Sequence, residues 1–243
     1  MMADGQFSKK LEVKMIEVKN IKIAYGADTI LENINLKINE GEKIAIIGKN
    51  GCGKTSLLNA ILKLKSHKVG EIKYSLNDEQ FYRNFGVQLQ DASFDERLTI
   101  RDYCDLMESI YNIKGKVDFY LELFELKQLI RKKIANLSGG ERQKLNIVFS
   151  LFHDPHILIF DEITTGLDSL SRSKIRNYIK KFSEERTLII VSHYMEEIEE
   201  LCDRVVLINN RKIEIDKKIS AVIEEYGSVS KMYEVVLGGT FNE

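Results

Sequence analysis

The stretch AIIGKNGCGKTSLL, residues 45–58, contains glycines, a lysine and hydroxyls at a spacing suited to chemistry. It fits G-x-x-x-x-G-K-[ST], in which backbone N–H groups turn inward around an anion and glycines permit the necessary dihedral angles. The loop residues expected around a bound phosphate are Gly48, Asn50, Gly51, Cys52 and Gly53. The stretch therefore predicts a nucleotide-binding loop, and a glycine-rich turn without a ligand is the disfavoured alternative.

The residues after these glycines predict the rest of a nucleotide site. Lys54 is expected to reach the β- and γ-phosphates, and the Thr55 hydroxyl is expected to be a ligand of Mg²⁺. Ser56 would assist at the start of the following helix, whose N-terminal end favours anions. The cofactors predicted here are ATP and Mg²⁺.

Two carboxylates and a histidine end later apolar runs. Asp161 and Glu162 close ILIFDE; we expect Asp161 to hold Mg²⁺ through water and Glu162 to orient or deprotonate the attacking water. His193 closes TLIIVSH, so it should emerge at the same sheet edge as Glu162 and contact the γ-phosphate. The alternatives are a solvated turn or a helix cap for the acidic pair and a surface position for the histidine, and the phosphate loop makes them less favoured.

The cysteines Cys52, Cys104 and Cys202 are odd in number, widely spaced and without CxxC pairing. They indicate neither a disulfide framework nor a zinc site, and they fit a reducing, cytoplasmic setting. Cys52 has two interpretations. A thiol beside a helix N-terminus and Lys54 can be reactive through a lowered pKa, or a small residue can simply fill a tight loop, which is the favoured interpretation.

Short apolar runs rich in β-branched residues must position these side chains. Because helical patterns lie between the runs, we predict buried parallel strands in an α/β sandwich. The runs are 43–48, 157–162, 187–193 and 204–210, and the helical patterns are 54–65, 140–153, 171–185 and 195–203. The predicted fold class is a phosphate-loop nucleotide-hydrolase α/β fold with a mainly parallel sheet.

Two regions depart from this alternation. Residues 16–40 alternate apolar and polar side chains with turn residues between, which predicts an antiparallel β layer. Residues 95–135 show helical patterns and no strand signal, so we predict an inserted helical subdomain at about 95–150. The domain is expected to cover 15–243, with 1–14 as an N-terminal extension for which disorder is one interpretation.

Composition narrows the class of partner. The 243 residues include 36 Lys and Arg against 37 Asp and Glu, so no basic excess indicates a nucleic-acid partner. No run approaches the roughly 18 apolar residues of a membrane helix, and the first residues lack the apolar core of a signal peptide. We expect a soluble chain whose connection to a membrane, if any, is made by another subunit.

A further motif carries a family resemblance. LSGGERQ, Leu137–Gln143, precedes the acidic strand and offers a hydroxyl, glycine N–H groups and a helix N-terminus, although an ordinary helix cap is the alternative. With GKNGCGKT, ILIFDE, TGLD and SHYMEE, in that order from about Ile16 to Lys212, it resembles the nucleotide-binding subunit of an ABC transporter.

The resemblance implies roles for further residues. Tyr25 would stack on adenine, and Gln90, with Gln88 as the weaker candidate, would meet Mg²⁺ and the attacking water. Asp168 would cross an interface between two ATPase subunits, either identical or different. The residues implied to bind the γ-phosphate held by the opposite subunit are Ser138, Gly139 and Gly140.

The chain also departs from the family pattern. Ile163 and Ser169 stand where the family usually has prolines, after the catalytic glutamate and after the aspartate of TGLD. Neither change removes a residue expected to contact the nucleotide or the metal. The changes therefore affect the expected rigidity of the two loops rather than the ability to hydrolyse ATP. The family's glycine after the last strand is missing, and Asn210 is expected to form that turn.

The resemblance implies a membrane permease as partner and a position on the inner face of the cell membrane. The expected docking surface is the helical subdomain together with the segment after Gln90. Candidate contacts are Phe94, Leu98 and Tyr103, and the alternative is that these three side chains belong to the core of the subdomain. Motifs similar to ATPases that export drugs, antimicrobial peptides or lipids favour export, as does a chain end without the regulatory domain of some importer ATPases. Soluble ABC ATPases acting on ribosomes, nucleic acid or protein assemblies remain the alternative.

Overall fold

A computed structural model describes residues 14–75, 78–89 and 94–238. The predicted extension 1–14 therefore lies outside the described residues except for Lys14, which begins the first strand. The strands are β1 (Lys14–Tyr25), β2 (Asp28–Asn39), β3 (Lys43–Ile47), β4 (Val69–Tyr74), β5 (Phe85–Gln88), β6 (Ile157–Asp161), β7 (Thr187–Val191), β8 (Arg204–Asn209) and β9 (Lys212–Lys218). The helices are α1 (Lys54–Ile61), α2 (Ile100–Tyr111), α3 (Lys116–Leu123), α4 (Gly139–Leu151), α5 (Ser169–Ser183), α6 (Met195–Leu201), α7 (Ile219–Tyr226) and α8 (Val229–Leu237).

The larger sheet has the strand order β5-β6-β7-β3-β8-β9. All neighbouring pairs are parallel except β8 and β9, which form an antiparallel hairpin. Every residue of β6 and β7 is buried. In this protein, helices and the smaller sheet cover the two faces of the larger sheet. Its strands are therefore buried on both sides and carry apolar side chains on both. The predicted mainly parallel α/β sandwich is confirmed.

The smaller sheet is antiparallel and has the order β2-β1-β4. It contains the region 16–40 that the alternating pattern predicts as an antiparallel layer. The sequence pattern does not predict strand β4, because none of its residues is buried and a glycine, Gly70, interrupts it. Gly70 has φ +90°, and a Cβ there would lie 2.3 Å from the Lys19 carbonyl oxygen.

The core has two parts, one on each face of the larger sheet. Alternate residues of β3 show the division, because Ile44 and Ile46 pack with the smaller sheet and α1, whereas Ala45 and Ile47 pack with the other helices. Burying each such isoleucine stabilises the fold by roughly 1.5–3 kcal/mol before conformational entropy is counted. The strands that carry the candidate site are thus packed against other elements on both faces of the sheet.

Element ends differ from the sequence pattern by a few residues, and local hydrogen bonds explain the differences. Helix α1 ends at Ile61 rather than Lys65, since Lys63 adopts φ 56°. Helices α4 and α5 begin earlier than their apolar patterns because Ser138 and Asp168 cap them. The turn between β8 and β9 places Asn210 at φ 46° and Arg211 at φ 67°, so Asn210 forms the expected turn.

The segment between β5 and β6 is helical in its described part. It contains α2, α3 and α4 with short 3-10 turns at 127–129 and 134–136, and from residue 94 onward it contributes no strand to either sheet. Thr99 begins α2 with a reciprocal capping box to Asp102. Among the described residues, no helix is long and apolar enough to cross a membrane.

Candidate functional site

The candidate site lies at the carboxyl edge of the larger sheet, where α/β folds bind ligands. The phosphate loop follows β3, Glu162 follows β6, and His193 follows β7 by two residues. They border a cleft of about 600 Å³. Its lining residues are Ile30, Asn50, Gly51, Gly53, Lys54, Thr55, Ser56, Glu162, Thr165 and His193.

Two glycines of the phosphate loop are required by the backbone geometry. Gly48 has φ +150°, and a Cβ there would lie 2.3 Å from the carbonyl oxygen of Ile208 on β8. Gly53 has φ +109°, and a Cβ there would lie 2.8 Å from the Leu31 side chain on β2. Both positions combine an unfavourable backbone conformation for other residues with a steric clash. The loop is therefore held between the two sheets.

Lys54 folds back into the phosphate loop. Its side chain is buried, and Nζ donates hydrogen bonds to the carbonyl oxygens of Gly48 at 2.9 Å and Lys49 at 3.2 Å. These bonds fix the ammonium inside the loop, where a positive charge attracts phosphate oxygens. Lys54 thus lies in the predicted phosphate loop, and its contact with the β- and γ-phosphates stays a prediction.

The residues expected at the metal are adjacent. Thr55 Oγ1 donates a hydrogen bond of 2.9 Å to Asp161 Oδ2, while Asp161 Oδ1 is buried and has no hydrogen-bond partner among the described residues. Burial raises the pKa of Asp161, against the opposing effect of the Thr55 hydrogen bond. A carboxylate oxygen and a hydroxyl oxygen are hard ligands suited to Mg²⁺. This donor set fits the expected metal.

Glu162 and His193 meet across two strand ends. Glu162 Oε1 lies 2.7 Å from His193 Nε2. Glu162 has φ 57°, which is uncommon for a residue with a side chain, and its N–H donates to the Val191 carbonyl oxygen at 2.8 Å. The turn ends β6 at Asp161, ties Glu162 to the end of β7 and directs its carboxylate to the histidine. The sequence predicts a shared edge, and the structure adds direct contact.

Tyr25 lies beside the phosphate loop. Tyr25 is 42% exposed, its hydroxyl lies 3.2 Å from Ser56 Oγ, and the Lys65 ammonium lies 4.8 Å from the ring centroid. An exposed aromatic face next to the first turn of α1 is suited to stacking with a planar base.

Cys52 packs inside the loop. A Cβ on Gly48 would lie 2.6 Å from its sulfur, and burial raises the pKa of the Cys52 thiol in spite of the nearby Lys54. A raised pKa lowers the thiolate fraction, which is the reactive form. The structure therefore favours the interpretation of a small residue that fills the loop.

The LSGG segment lies away from this cleft. Ser138 caps α4 in a reciprocal capping box: its Oγ accepts from Glu141 N at 3.2 Å, and Glu141 Oε2 accepts from Ser138 N at 2.8 Å. Lys132 Nζ also donates to Glu141 Oε2, at 2.9 Å. Ser138 and Gly140 border a separate cleft of about 190 Å³, which shares no lining residue with the first. Gly139 has nothing within 4 Å of where a Cβ would lie.

Asp168 caps α5 next to this second cleft. Its carboxylate accepts hydrogen bonds from Ser171 N at 3.0 Å and Ser171 Oγ at 2.6 Å, and Ser171 itself lines the cleft. These bonds hold the pKa of Asp168 below its ordinary value. The structure thus places Asp168 with the LSGG segment rather than with the phosphate loop.

The two glutamine candidates have different outcomes. Gln90 lies outside the described residues. Gln88 ends β5; it is buried, its Nε2 donates to the Leu89 carbonyl oxygen at 3.2 Å, and its Oε1 has no hydrogen-bond partner in the described part of the chain.

An apolar groove of about 300 Å³ separates Gln88 from the helical segment. Its lining includes exposed Tyr82 and Leu64 together with Tyr103. Phe94 is only 9% exposed and packs edge-on against Tyr103 at 5.0 Å, so it belongs largely to the core of the helical segment. Leu98 is half-buried and does not line the groove.

Sequence reasoning missed Glu197, a fully buried carboxylate on α6. It accepts hydrogen bonds from Thr164 and Ser192, which lie beside Glu162 and His193 in the chain. A signal was present in MEEIEEL, since Glu197 adjoins Ile198 and precedes Leu201 by four residues, which places it on the apolar face of the helix.

Comparisons with known proteins agree with this geometry. The family model described as ABC transporter matches residues 31–165. The linearmycin resistance ATP-binding protein LnrL of Bacillus subtilis is 34% identical over 206 residues, covering 80% of this chain and 66% of that protein. The methionine import ATP-binding protein MetN of Clostridium tetani is 33% identical over 215 residues, covering 82% and 68%. The chain thus spans about two thirds of the length of these relatives.

Solved structures give the same result. A dimeric post-hydrolysis state of the ATP-binding cassette MJ0796, bound to ADP and Pi, has a TM-score of 0.74 at 27% identity, covering 84% of this chain and 98% of that one. An ATP-binding subunit of an ABC transporter has a TM-score of 0.81 at 23% identity, covering 92% and 98%, and supports the fold. This chain belongs to the ABC transporter family and is an ABC-type ATPase that uses ATP and Mg²⁺.

Proposed function

We propose that this chain hydrolyses ATP to power a membrane exporter, in complex with a permease and a second ATPase subunit. The observation that carries the proposal is the 2.7 Å contact between Glu162 and His193 at the rim of the cleft that also holds the phosphate loop. It provides a base beside the place where the γ-phosphate of a bound nucleotide would end. The domain proposed for this function covers 15–243, with a helical subdomain at about 95–150.

In the proposed mechanism, the phosphate loop and Lys54 bind the phosphates, and Tyr25 stacks on adenine. Thr55 and Asp161 would hold Mg²⁺, which neutralises charge that develops on the transferred phosphoryl group. Glu162 takes a proton from the attacking water, and His193 orients Glu162 while contacting the γ-phosphate. Gln90, outside the described residues, is proposed to meet the metal and the water.

The second ATPase subunit completes the site. The cleft of Ser138 and Gly140 shares no lining residue with the nucleotide cleft of the same chain, so one chain does not bring them together at one nucleotide. A two-fold, head-to-tail dimer would place each LSGG segment over the partner's phosphate loop and would bring Asp168 to the interface. ATP would then join the subunits and hydrolysis would release them. The dimeric structure of MJ0796, bound to ADP and Pi, supports the formation of a dimer.

The permease is proposed to dock in the apolar groove beside Gln88. Aromatic side chains line it, and exposed apolar grooves of this kind are typical of partner sites. Through Gln90, the docked permease would respond to the nucleotide, and the chain would lie on the inner face of the cell membrane. Export is favoured by the resistance protein LnrL, whereas MetN and the sulfate/thiosulfate protein CysA of Escherichia coli, 30% identical over 251 residues, are import proteins.

Affinity purification of tagged Glu162→Gln protein from detergent-solubilised native cells, with ATP present, tests the partner. We expect mass spectrometry to identify a multi-span membrane protein, whose reconstitution in vesicles then gives the direction of transport. Ribosomal, DNA-associated or assembly proteins without a membrane partner would overturn the transport proposal and leave the ATPase chemistry intact.

A matched pair of variants tests the groove. Tyr82 is 56% exposed and lines the groove, whereas Phe119 is 62% exposed and lies outside its lining. Tyr82→Glu should abolish recovery of the permease, and Phe119→Glu should not. Equal recovery with both variants would place the docking surface elsewhere.

A further inference from the structure

Helix α6 carries a fully buried carboxylate between two loops of the candidate site. Glu197 has no exposed surface, and its two oxygens accept hydrogen bonds from two hydroxyls: Oε1 from Thr164 Oγ1 at 2.5 Å and Oε2 from Ser192 Oγ at 2.5 Å. Both hydroxyl residues are themselves almost completely buried. The carboxylate therefore makes one specific contact with each loop.

The two hydroxyl donors to Glu197 lie next to the two proposed catalytic residues in the chain. Thr164 follows Glu162 by two residues in the loop after β6, and Ser192 directly precedes His193 after β7. Ser192 Oγ also accepts a hydrogen bond from Tyr194 N at 3.0 Å, which fixes the backbone on the far side of His193. A single side chain thus connects the loop of Glu162 with the loop of His193.

A purely structural explanation is unfavourable on energetic grounds. A buried carboxylate loses its hydration, and apolar side chains of similar volume often stabilise a core at least as well. Burial raises the pKa of Glu197, while the Ser192 and Thr164 hydrogen bonds and the charges of Arg172 and Arg176 act against that shift. Polar groups are retained at such cost where they specify geometry.

We propose that Glu197 is a positioning residue that keeps Glu162 and His193 within hydrogen-bonding distance. It does not line the nucleotide cleft, so it acts on the reaction through these two residues. The loop after β7 leads directly into α6, and its Tyr194 carbonyl oxygen accepts hydrogen bonds from the Glu197 and Ile198 N–H groups at 3.1 and 3.3 Å. Among the backbone hydrogen bonds between described residues, none joins Thr164 to α6, so the contact of Glu197 with Thr164 is what ties the loop of Glu162 to this helix. This inference rests on the proposed roles of Glu162 and His193.

The test is steady-state ATP hydrolysis by Glu197→Gln and Glu197→Ala. Small displacements of reacting groups cost up to about 100-fold, so we expect kcat to fall roughly 10-fold to 100-fold. The KM for ATP should change less than about 2-fold, because binding depends on the phosphate loop. Glu196→Gln is the matched control: Glu196 is the preceding residue, its side chain is 92% exposed, and we expect unchanged kcat.

Variants of Thr164 test the same hydrogen bond from its other partner, and they can be measured if the Glu197 variants do not fold. Thr164→Val removes the hydroxyl at nearly constant volume, whereas Thr164→Ser keeps it. We expect kcat to fall in Thr164→Val and to be largely retained in Thr164→Ser. Equal activity of these two variants would overturn the inference, as would a rise in KM that accounts for the whole loss of kcat/KM.

The His193→Ala background separates positioning from general stability. Without the imidazole there is no pair to hold, so Glu197→Gln should lower the residual kcat less than about 2-fold, a non-additive result. The full loss in both backgrounds would assign Glu197 a general structural role. Normal kcat in Glu162→Gln would overturn the proposed function itself, whereas loss in Glu162→Gln with normal kcat in Glu197 and Thr164 variants would overturn only this inference.

Discussion

Lys54 has a structural role in the loop and a proposed role in binding the phosphates. Its ammonium is bonded to the carbonyl oxygens of Gly48 and Lys49, so its position is fixed by the loop backbone. These two hydrogen bonds keep the ammonium inside the loop that is proposed to bind the phosphates. If Lys54 binds the phosphates as proposed, nucleotide affinity and the order of the loop depend on the same ammonium group.

Lys54→Ala should weaken ATP binding by roughly 10-fold to 100-fold, because a hydrogen bond to a charged group contributes about 1.5–3 kcal/mol. Isothermal titration calorimetry with Mg-ATP measures the change. Lys49→Ala is a suitable control, since only the backbone carbonyl of Lys49 contacts Lys54. Unchanged affinity in Lys54→Ala would refute the assignment of the phosphate loop.

Cys52 should react slowly with alkylating reagents. Burial raises the pKa of its thiol, so the thiolate fraction at pH 8 is smaller than that of an unperturbed cysteine, and the rate continues to rise at pH values above the ordinary pKa. A Cys104→Ser/Cys202→Ser background isolates this thiol. Alkylation faster than that of free cysteine at pH 8 would contradict the structure.

Helix α4 combines a structural cap with a candidate ligand site. The capping box of Ser138 and Glu141 resembles that of Thr99 and Asp102 at the start of α2, yet only Ser138 borders the second cleft. A capping hydroxyl stabilises its helix in either case, so the two caps provide a direct comparison between stability and function.

Ser138→Ala and Thr99→Ala should each lower the free energy of unfolding by about 1 kcal/mol, the usual effect of removing such a cap. Denaturant titration measures this change. Only Ser138→Ala should also lower kcat for ATP hydrolysis, since Ser138 is proposed to contact the partner's γ-phosphate. A similar loss of kcat in both variants would mean that Ser138 acts as a cap alone.

Elements differ in how far their sequence predicts them. Strands β3, β6, β7 and β8 are fully or mostly buried, so their apolar runs were recognisable and their parallel pairing was confirmed. Strand β4 is too exposed to show such a pattern, and β5 is only four residues long. Pairing partners, rather than local propensity, make these segments strands.

The sequence predicts the location of site residues that directly follow strands. It does not predict the contacts of residues buried beneath the site. Glu162 and His193 end parallel strands, so their shared edge follows from the fold. Glu197 is one of four glutamates in MEEIEEL, and its spacing from Leu201 places it on the apolar face of the helix without showing which side chains it contacts. Its function depends on contacts with Thr164 and Ser192, 33 and 5 residues away, which only the folded chain reveals.

For the whole molecule, the separation of the two clefts is the central feature. The phosphate loop with Glu162 forms one cleft, and Ser138 with Gly140 forms the other. Neither contains all the groups that the proposed reaction needs. The proposed reaction therefore needs two chains, which ATP would join.

The most direct measurement is the molar mass of Glu162→Gln by light scattering with Mg-ATP and with Mg-ADP. Because hydrolysis is blocked while both clefts remain, we predict a dimer, with about twice the monomer mass, in ATP and a monomer in ADP. The double variant Lys54→Ala/Glu162→Gln should remain a monomer in both. A monomer in saturating ATP, or a dimer that is indifferent to the nucleotide, would contradict the account.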